Sequence, residues 1–293
     1  MSHLRVSPRH LGQMEIDDFC PRCFWYQVHM EFKMPFNGIM PGIMFNLDIF
    51  EKKIVDAYFA REEKLPKWLA SLNCTTTVDF PSKMMQEFPD LDITLVGMPD
   101  AVFGNRRGKL IVVDYKSAHY KGDDDHFMPA YEIQLLGYAH LLESNGVGKV
   151  EGAALVYFQN SLKDYGQKPL ELLTEKGFSA PFETRIHHVD LDMEDLEPLL
   201  VRIREVADTA MPPQGLEHCK DCGRLEQLLD FEVRMRDGQD SLRRRDQLFK
   251  HVYLPRILED RDRAKRAGKD MEEDEFLNMS DAQYDARPAS WDL

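Results

Sequence analysis

The sequence predicts a mixed α/β fold, with a central mixed sheet flanked by helices. Three observations carry this. Apolar runs of strand length sit mid-chain at Ile93–Met98, Leu110–Tyr115 and Gly152–Gln159. Segments with apolar residues at 3–4 spacing lie around them at Phe45–Phe59, Tyr131–Ser144 and Asp195–Ala210. The resulting order of helix, strands, helix, strand, helix is what a sheet covered by helices requires.

The elements follow in order. Ser7-Pro8 opens a helix, with Ser7 as cap and Pro8 at the first helical position, and Leu11, Met14 and Phe19 follow on one face. Phe45–Phe59 carries Leu47, Phe50, Ile54, Val55 and Tyr58 at 3–4 spacing and reads as a long amphipathic helix. Ile93–Met98 and Leu110–Tyr115 read as strands, with a hairpin loop at Asn105–Gly108 between them. Tyr131–Ser144 is a helix stopped by Asn145-Gly146. Gly152–Gln159 is a buried strand, Thr184–Leu191 a further strand, and Asp195–Ala210 a helix. Two more helices are read between Leu225 and Gly268, the second rich in arginine.

The chain has 293 residues, 37 Lys+Arg against 51 Asp+Glu, a formal charge of −14, five cysteines and 43% hydrophobic residues. That length buries one large core or two modest ones. No apolar run approaches the roughly 20 residues needed to span a bilayer, and the opening MSHLRVSPRH has no apolar signal region. The expectation is a cytoplasmic protein with reduced thiols and no membrane partner. The acidic total opposes a broad phosphate-binding surface. However, Asp270–Leu293 holds eight acids and one base, so half of the −14 lies in the last 24 residues. That segment reads as a solvated tail. The organisation expected is therefore 1–225 as the main domain, 226–269 as a helical extension and 270–293 as an acidic tail.

The chemistry is concentrated in the middle. Gly97-Met98-Pro99-Asp100 is followed fourteen residues later by Asp114-Tyr115-Lys116. Carboxylates at the ends of two apolar strands can converge on one Mg²⁺, which takes one or two carboxylates, a carbonyl, waters and phosphate oxygens. Lys116 shares a strand face with Asp114, where an ammonium can orient a water or neutralise a scissile phosphate. Two acids and a lysine suffice for metal-assisted phosphodiester hydrolysis. Strand-end acids paired with a lysine are the plain alternative. Gln134 and Tyr138, an i, i+4 pair on the next helix, tilt the balance, since both can bond the lysine or a DNA backbone. His187-His188 reads as a strand pair satisfied by hydrogen bonds, and Asp123-Asp124-Asp125 as a solvated loop. There is no phosphate-cradling glycine loop.

Gly-x-x-Asp, Asp-x-Lys and Gln-x-x-x-Tyr in this order resemble the RecB-type branch of the PD-(D/E)XK nuclease superfamily. This branch includes the RecB and AddB nuclease domains and the CRISPR-associated adaptation nuclease. Ser7-Pro8-Arg9-His10-Leu11 and Cys20-Pro21-Arg22-Cys23-Phe24 resemble its opening. The resemblance covers roughly residues 5–225. It implies a restriction-endonuclease-like sheet, with Asp100 and Asp114 as ligands of Mg²⁺ or Mn²⁺, the Tyr115 carbonyl as a further ligand, and Lys116 as the catalytic lysine. Gln134 and Tyr138 would support the site and the DNA strand. Many members place a metal-binding His in the long N-terminal helix. Here Asn46, in Gly42-Ile43-Met44-Phe45-Asn46, stands at that position, and Asn is a poorer transition-metal ligand.

Cys20-x-x-Cys23 and Cys219-x-x-Cys222 form two pairs, and Cys74 stands apart. By spacing alone they suggest Zn²⁺, and a [4Fe–4S] cluster is chemically open. The resemblance favours the cluster, although the branch usually divides its cysteines one and three rather than two and two. Either group would staple the ends of the domain. The function expected is a divalent-metal-dependent DNA nuclease, acting on ends or single strands in repair, recombination, phage DNA processing or CRISPR adaptation, alone or with a helicase. A weak or inactive nuclease-like DNA-binding scaffold is the alternative.

Overall fold

The structure is a computed structural model that describes residues 3–32, 41–122 and 124–236. The chain divides into two compact units, Met1–Cys219 and Lys220–Leu293.

The first unit opens with β1 (Leu4–Val6), α1 (Pro8–Gly12), α2 (Pro21–His29) and α3 (Gly42–Glu62). There follow β2 (Cys74–Thr77), β3 (Met84–Phe88), β4 (Ile93–Gly97), β5 (Ala101–Asn105), β6 (Leu110–Lys116) and α4 (Met128–Ser144). It closes with β7 (Val150–Asn160), the short β8 (Leu173–Thr174) and β9 (Gly177–Phe178), β10 (Phe182–Val189) and α5 (Leu196–Asp208). A five-stranded sheet runs β10-β7-β6-β5-β2, and a three-stranded sheet runs β1-β4-β3. Both are mixed: β6 pairs parallel with β7 and antiparallel with β5, and β1 pairs parallel with β4.

The central strands are apolar on both faces, as a sheet covered on both sides demands. Leu110 and Val112 of β6, with Ala153, Leu155 and Tyr157 of β7, enter one core with α1, α4 and α5. Val113, Tyr115, Ala154, Val156 and Phe158 enter a second core with Val55 of α3, Leu69 and Leu72. Asp114 therefore stands on the α4 side, between Val113 and Tyr115, which point the other way.

The N-terminal helix docks through absences of side chain. A Cβ at Gly12 would lie 2.2 Å from the Ala130 carbonyl oxygen. A Cβ at Gly137 would lie 2.7 Å from Pro8 Cβ, and one at Gly97 would lie 2.9 Å from Pro8 Cδ and 3.0 Å from Tyr138 Cε1. Real carbon atoms do not approach so closely, so Pro8 seats in a notch cut by Gly97 and Gly137. Ser7 precedes it with extended backbone, and its N–H donates to His10 Nδ1 at 3.1 Å.

Three sequence expectations change. The hairpin at Asn105–Gly108 joins β5 to β6, not the Ile93 strand to β6. The Ile93 strand and β6 lie in different sheets, and the strand Ala101–Asn105 was missed because AVFGN is short and glycine-bearing. β2 and β3 were also missed, as CTTT and MMQEF lack an apolar alternation. The helix at Phe45–Phe59 forms, but its apolar stripe is only partly buried, Val55 entering the core while Phe50 and Ile54 stay exposed. Ile43, Phe45, Phe50 and Ile54 are exposed, whereas Glu51 and Val55 are buried.

In the second unit the described element is α6 (Lys220–Arg236), which contains the first of the two C-terminal helices read from the sequence. The second, and the acidic tail, lie outside the described residues.

Candidate active site and cysteine group

Four segments bring side chains to the C-terminal end of β6. Asp100 comes from the turn between β4 and β5. Asp114 and Lys116 come from β6, Gln134 and Tyr138 from α4, and Glu51 and Lys52 from α3. The turn works because β5 pairs antiparallel with β6, Ala101 opposite Val113, and continuing that register by one residue sets Asp100 opposite Asp114.

Asp100 is tied at both oxygens. The Tyr115 N–H donates to Oδ2 at 2.8 Å, and the Lys52 ammonium lies 2.9 Å from Oδ1. Asp114 is 4% exposed. Its Oδ1 accepts from Gln134 Nε2 at 3.0 Å, and the same nitrogen lies 3.0 Å from the Tyr138 hydroxyl. Its Oδ2 has the Lys116 ammonium at 2.6 Å but no hydrogen bond of acceptable geometry. Lys116 Nζ also sits 3.5 Å from Gln134 Oε1 and 3.9 Å from the centre of the Tyr131 ring.

The electrostatics follow from this crowding. Burial pushes the Asp114 carboxyl up to about 6, with Lys116 opposing and Asp100 reinforcing the shift. Burial pushes the Tyr138 hydroxyl up to about 12, which keeps it a neutral hydrogen-bonding group. Burial lowers Lys52, but its bonds to Asp100 and Asp48 outweigh this and hold the ammonium above the usual range.

Glu51 was missed by sequence reasoning. It is 2% exposed, and both its oxygens accept from the Ser117 hydroxyl, at 2.9 and 3.1 Å. Burial raises its carboxyl to about 7, against the Ser117 bond and with help from Asp48 and Asp100. The available signal was its place one turn before Val55, the apolar residue of α3 that enters the core. Asn46, expected beside the acids, is exposed in the first turns of the helix. Glu51 and Lys52 are the α3 residues that reach the cluster. Asp125 also departs from expectation. It is buried at 7% exposure, and its Oδ1 accepts the Phe127 N–H at 3.1 Å at the start of α4. His187 bonds the Tyr120 hydroxyl at 3.0 Å, a satisfied strand histidine.

The donor set fits a hard divalent cation. Asp114 Oδ2 is a buried carboxylate oxygen without a hydrogen bond, the Lys116 ammonium lies beside it, and Asp100 is matched by the Lys52 ammonium. Two aspartates leave the remaining shell to a carbonyl, water and phosphate, the shell Mg²⁺ prefers.

The two Cys-x-x-Cys pairs form the group of three or more close metal-ligating side chains among the described residues. The sulfurs of Cys20, Cys23, Cys219 and Cys222 lie within 4.8 Å of one another. Cys23 and Cys219 are 3.6 Å apart, and the Leu216 N–H donates to Cys20 Sγ at 3.3 Å. Four soft donors at this spacing can hold a metal. Cys74 stands apart on β2, and burial raises its thiol to about 11.

The family model of the PD-(D/E)XK nuclease superfamily matches residues 47–226. No curated protein matches the chain. A solved structure, SSO0001, is similar over 73% of this chain and 81% of its own, at 14% identity and a TM-score of 0.37. At that score the likeness places no residues. No helix among the described residues is long and apolar enough to cross a membrane.

Proposed function

The chain belongs to the PD-(D/E)XK nuclease superfamily, and from that premise we propose that it is a divalent-metal-dependent deoxyribonuclease. The superfamily's members are mostly nucleases that use divalent metals. The observation that carries the reading is the buried Asp114 oxygen left without a hydrogen bond beside Lys116. Asp100, Asp114 and the Tyr115 carbonyl would hold Mg²⁺ or Mn²⁺. When bound, the cation would polarise a phosphoryl oxygen and lower the pKa of a water.

The chain's own residues do the rest. Gln134 fixes Asp114 Oδ1 and leaves Oδ2 facing the Lys116 ammonium. Tyr138 holds Gln134 in that rotamer. Lys52 and the Tyr115 N–H fix Asp100 at both oxygens. Lys116 presents a charge to the phosphate from a position set by Asp114 and Gln134. Glu51 adds a third carboxyl to the field at the site. The cysteine group would be a structural staple. A single tetrahedral ion with bonds of about 2.3 Å sets its sulfurs roughly 3.8 Å apart. A four-iron cluster ligates its sulfurs on separate irons, farther apart. The observed separations therefore favour Zn²⁺ over the [4Fe–4S] cluster. A visible spectrum of anaerobically purified protein decides this: a broad charge-transfer band means iron–sulfur, and a colourless, zinc-loaded protein means zinc.

DNA ends or single strands are the proposed substrate, and a helicase a proposed partner. The main domain, 1–225, would carry the chemistry, with 226–269 and 270–293 as extension and tail. A nuclease-like DNA-binding scaffold is the second reading, favoured by Asn46 in the place of a metal-binding His. The test is cleavage of DNA with Mg²⁺ or Mn²⁺ by the native chain, Lys116→Ala and Asp114→Ala. Equal cleavage by all three removes these residues from the reaction. No cleavage by the native chain, with DNA binding retained, supports the scaffold.

A further inference from the structure

A row of rings leads from the surface to the proposed catalytic lysine. His126 lies just before α4, and its Nε2 is held by Asp18 at 2.9 Å. Its ring meets Phe127 edge-on, with centres 5.0 Å apart. Phe127 meets Tyr131, one helical turn on, at 6.3 Å and a 35° tilt. Tyr131 carries the Lys116 ammonium 3.9 Å above its ring centre. Phe127 is a large apolar side chain left 47% exposed at the start of α4. Arg9, exposed on α1, is close enough to act electrostatically on Tyr131.

Exposed aromatics beside a cation are what a single strand uses, since each base offers a π-face once it is unpaired. In a duplex the bases are stacked on each other and offer none. The row is also continuous with Lys116, so a base seated on it brings its own phosphate to the lysine, with Arg9 available to a neighbouring phosphate.

Resting on the deoxyribonuclease reading, we propose that His126, Phe127 and Tyr131 form a base-stacking shelf for single-stranded DNA that delivers the adjoining phosphate to Lys116. The shelf decides strandedness; the acids and Lys116 decide cleavage. Phe127 is a positioning residue, because it touches the base and not the reacting atoms.

The test uses the full chain without added divalent cation, so that DNA is not cut and the cysteine group keeps its metal, and fluorescence anisotropy of a labelled deoxyoligonucleotide, single-stranded or annealed to its complement. Native protein is expected to prefer the single strand. Phe127→Ala is expected to weaken single-strand binding about tenfold and to leave duplex binding unchanged, while Phe127→Trp restores it. A 2-aminopurine base in the strand should be quenched by native protein and by Phe127→Trp, but not by Phe127→Ala. Equal loss for both DNA forms, no loss for either, or no restoration by tryptophan overturns the shelf. A native chain that binds and cuts only duplex DNA also overturns it, yet leaves the nuclease reading intact. A chain that binds single strands through Phe127 but never cuts them keeps the shelf and overturns the nuclease.

Discussion

Helix α4 meets the sheets in two different ways within one turn. Gln134 and Tyr138 enter a polar cluster in which nearly every atom has a named partner. Gly137, between them, enters an apolar seam in which the contact exists because a side chain is missing. The same division runs through Gly-x-x-Asp: Gly97 belongs to the seam and Asp100 to the cluster. The contrast teaches that a motif read as one chemical unit is two physical ones. The cluster is held by charge and hydrogen bonds, and the seam by shape.

The sharpest way to separate the two is Lys116→Ala. It should lower the rate of DNA cleavage about a thousandfold, roughly 4 kcal/mol of transition-state stabilisation. The melting temperature should move little, because Lys116 is the last residue of β6 and Asp114 keeps its bond to Gln134 without it. A collapse in melting temperature would place the lysine in the seam's category. Gly137→Val is the mirror experiment. Crowding Pro8 should cost about 3 kcal/mol of stability, read as a shift of the denaturation midpoint at unchanged slope. Activity per folded molecule should persist if α4 keeps its position.

Acid probes the seam next. Burial, then the charge of Arg9, pushes His10 down to about 4 from 6.5, and its ring stacks on Phe32 with centres 3.6 Å apart. The folded state prefers neutral His10, so its contribution is complete above 6.5 and is lost as pH falls toward 4. Between pH 7 and pH 5 about 2 kcal/mol should disappear, and His10→Gln should flatten that slope in chemical denaturation. The smallest effect is expected at Glu51. Glu51→Gln keeps the shape and the Ser117 bond while removing one carboxylate from the field. It should raise the Mg²⁺ needed for half-maximal cleavage about tenfold, with the rate at saturating Mg²⁺ little changed. An unchanged Mg²⁺ requirement would make Glu51 a structural partner of Ser117.

What could be read in advance divides along similar lines. Leu110–Lys116, Val150–Asn160 and α4 were legible because they are long and apolar, and because a strand's period of two fixes which residues share a face. Asp114 and Lys116 thus came out on one side. The strand Ala101–Asn105 was not legible, and with it went the true neighbour of β6. A sheet pairing is set by register across space, and nothing in Ile93–Gly97 says that it belongs to another sheet. Glu51 was hidden for a different reason. Apolar periodicity predicts the buried face of a helix only when burial is what placed the apolar residues. On α3 the buried face carries an acid, Glu51, beside Val55, and Phe50 and Ile54 look outward. The cysteine spacing survived because two Cys-x-x-Cys pairs need only to meet, whatever lies between them.

The parallel ladder between Leu4–Val6 and Ile93–Leu95 has a kinetic consequence. Its partners are separated by some ninety residues, and Pro8 finds Gly137 only after a still longer stretch of chain. Contacts of such long range close late and slow the search. During synthesis the first strand must wait for β4, and the first helix for α4, before they can dock. Gln134 and Tyr138 ride on that same helix, so Asp114 gains its α4 partner only once α4 has docked. A nascent chain of this protein would carry both aspartates and the lysine well before α4 could supply Gln134 to Asp114.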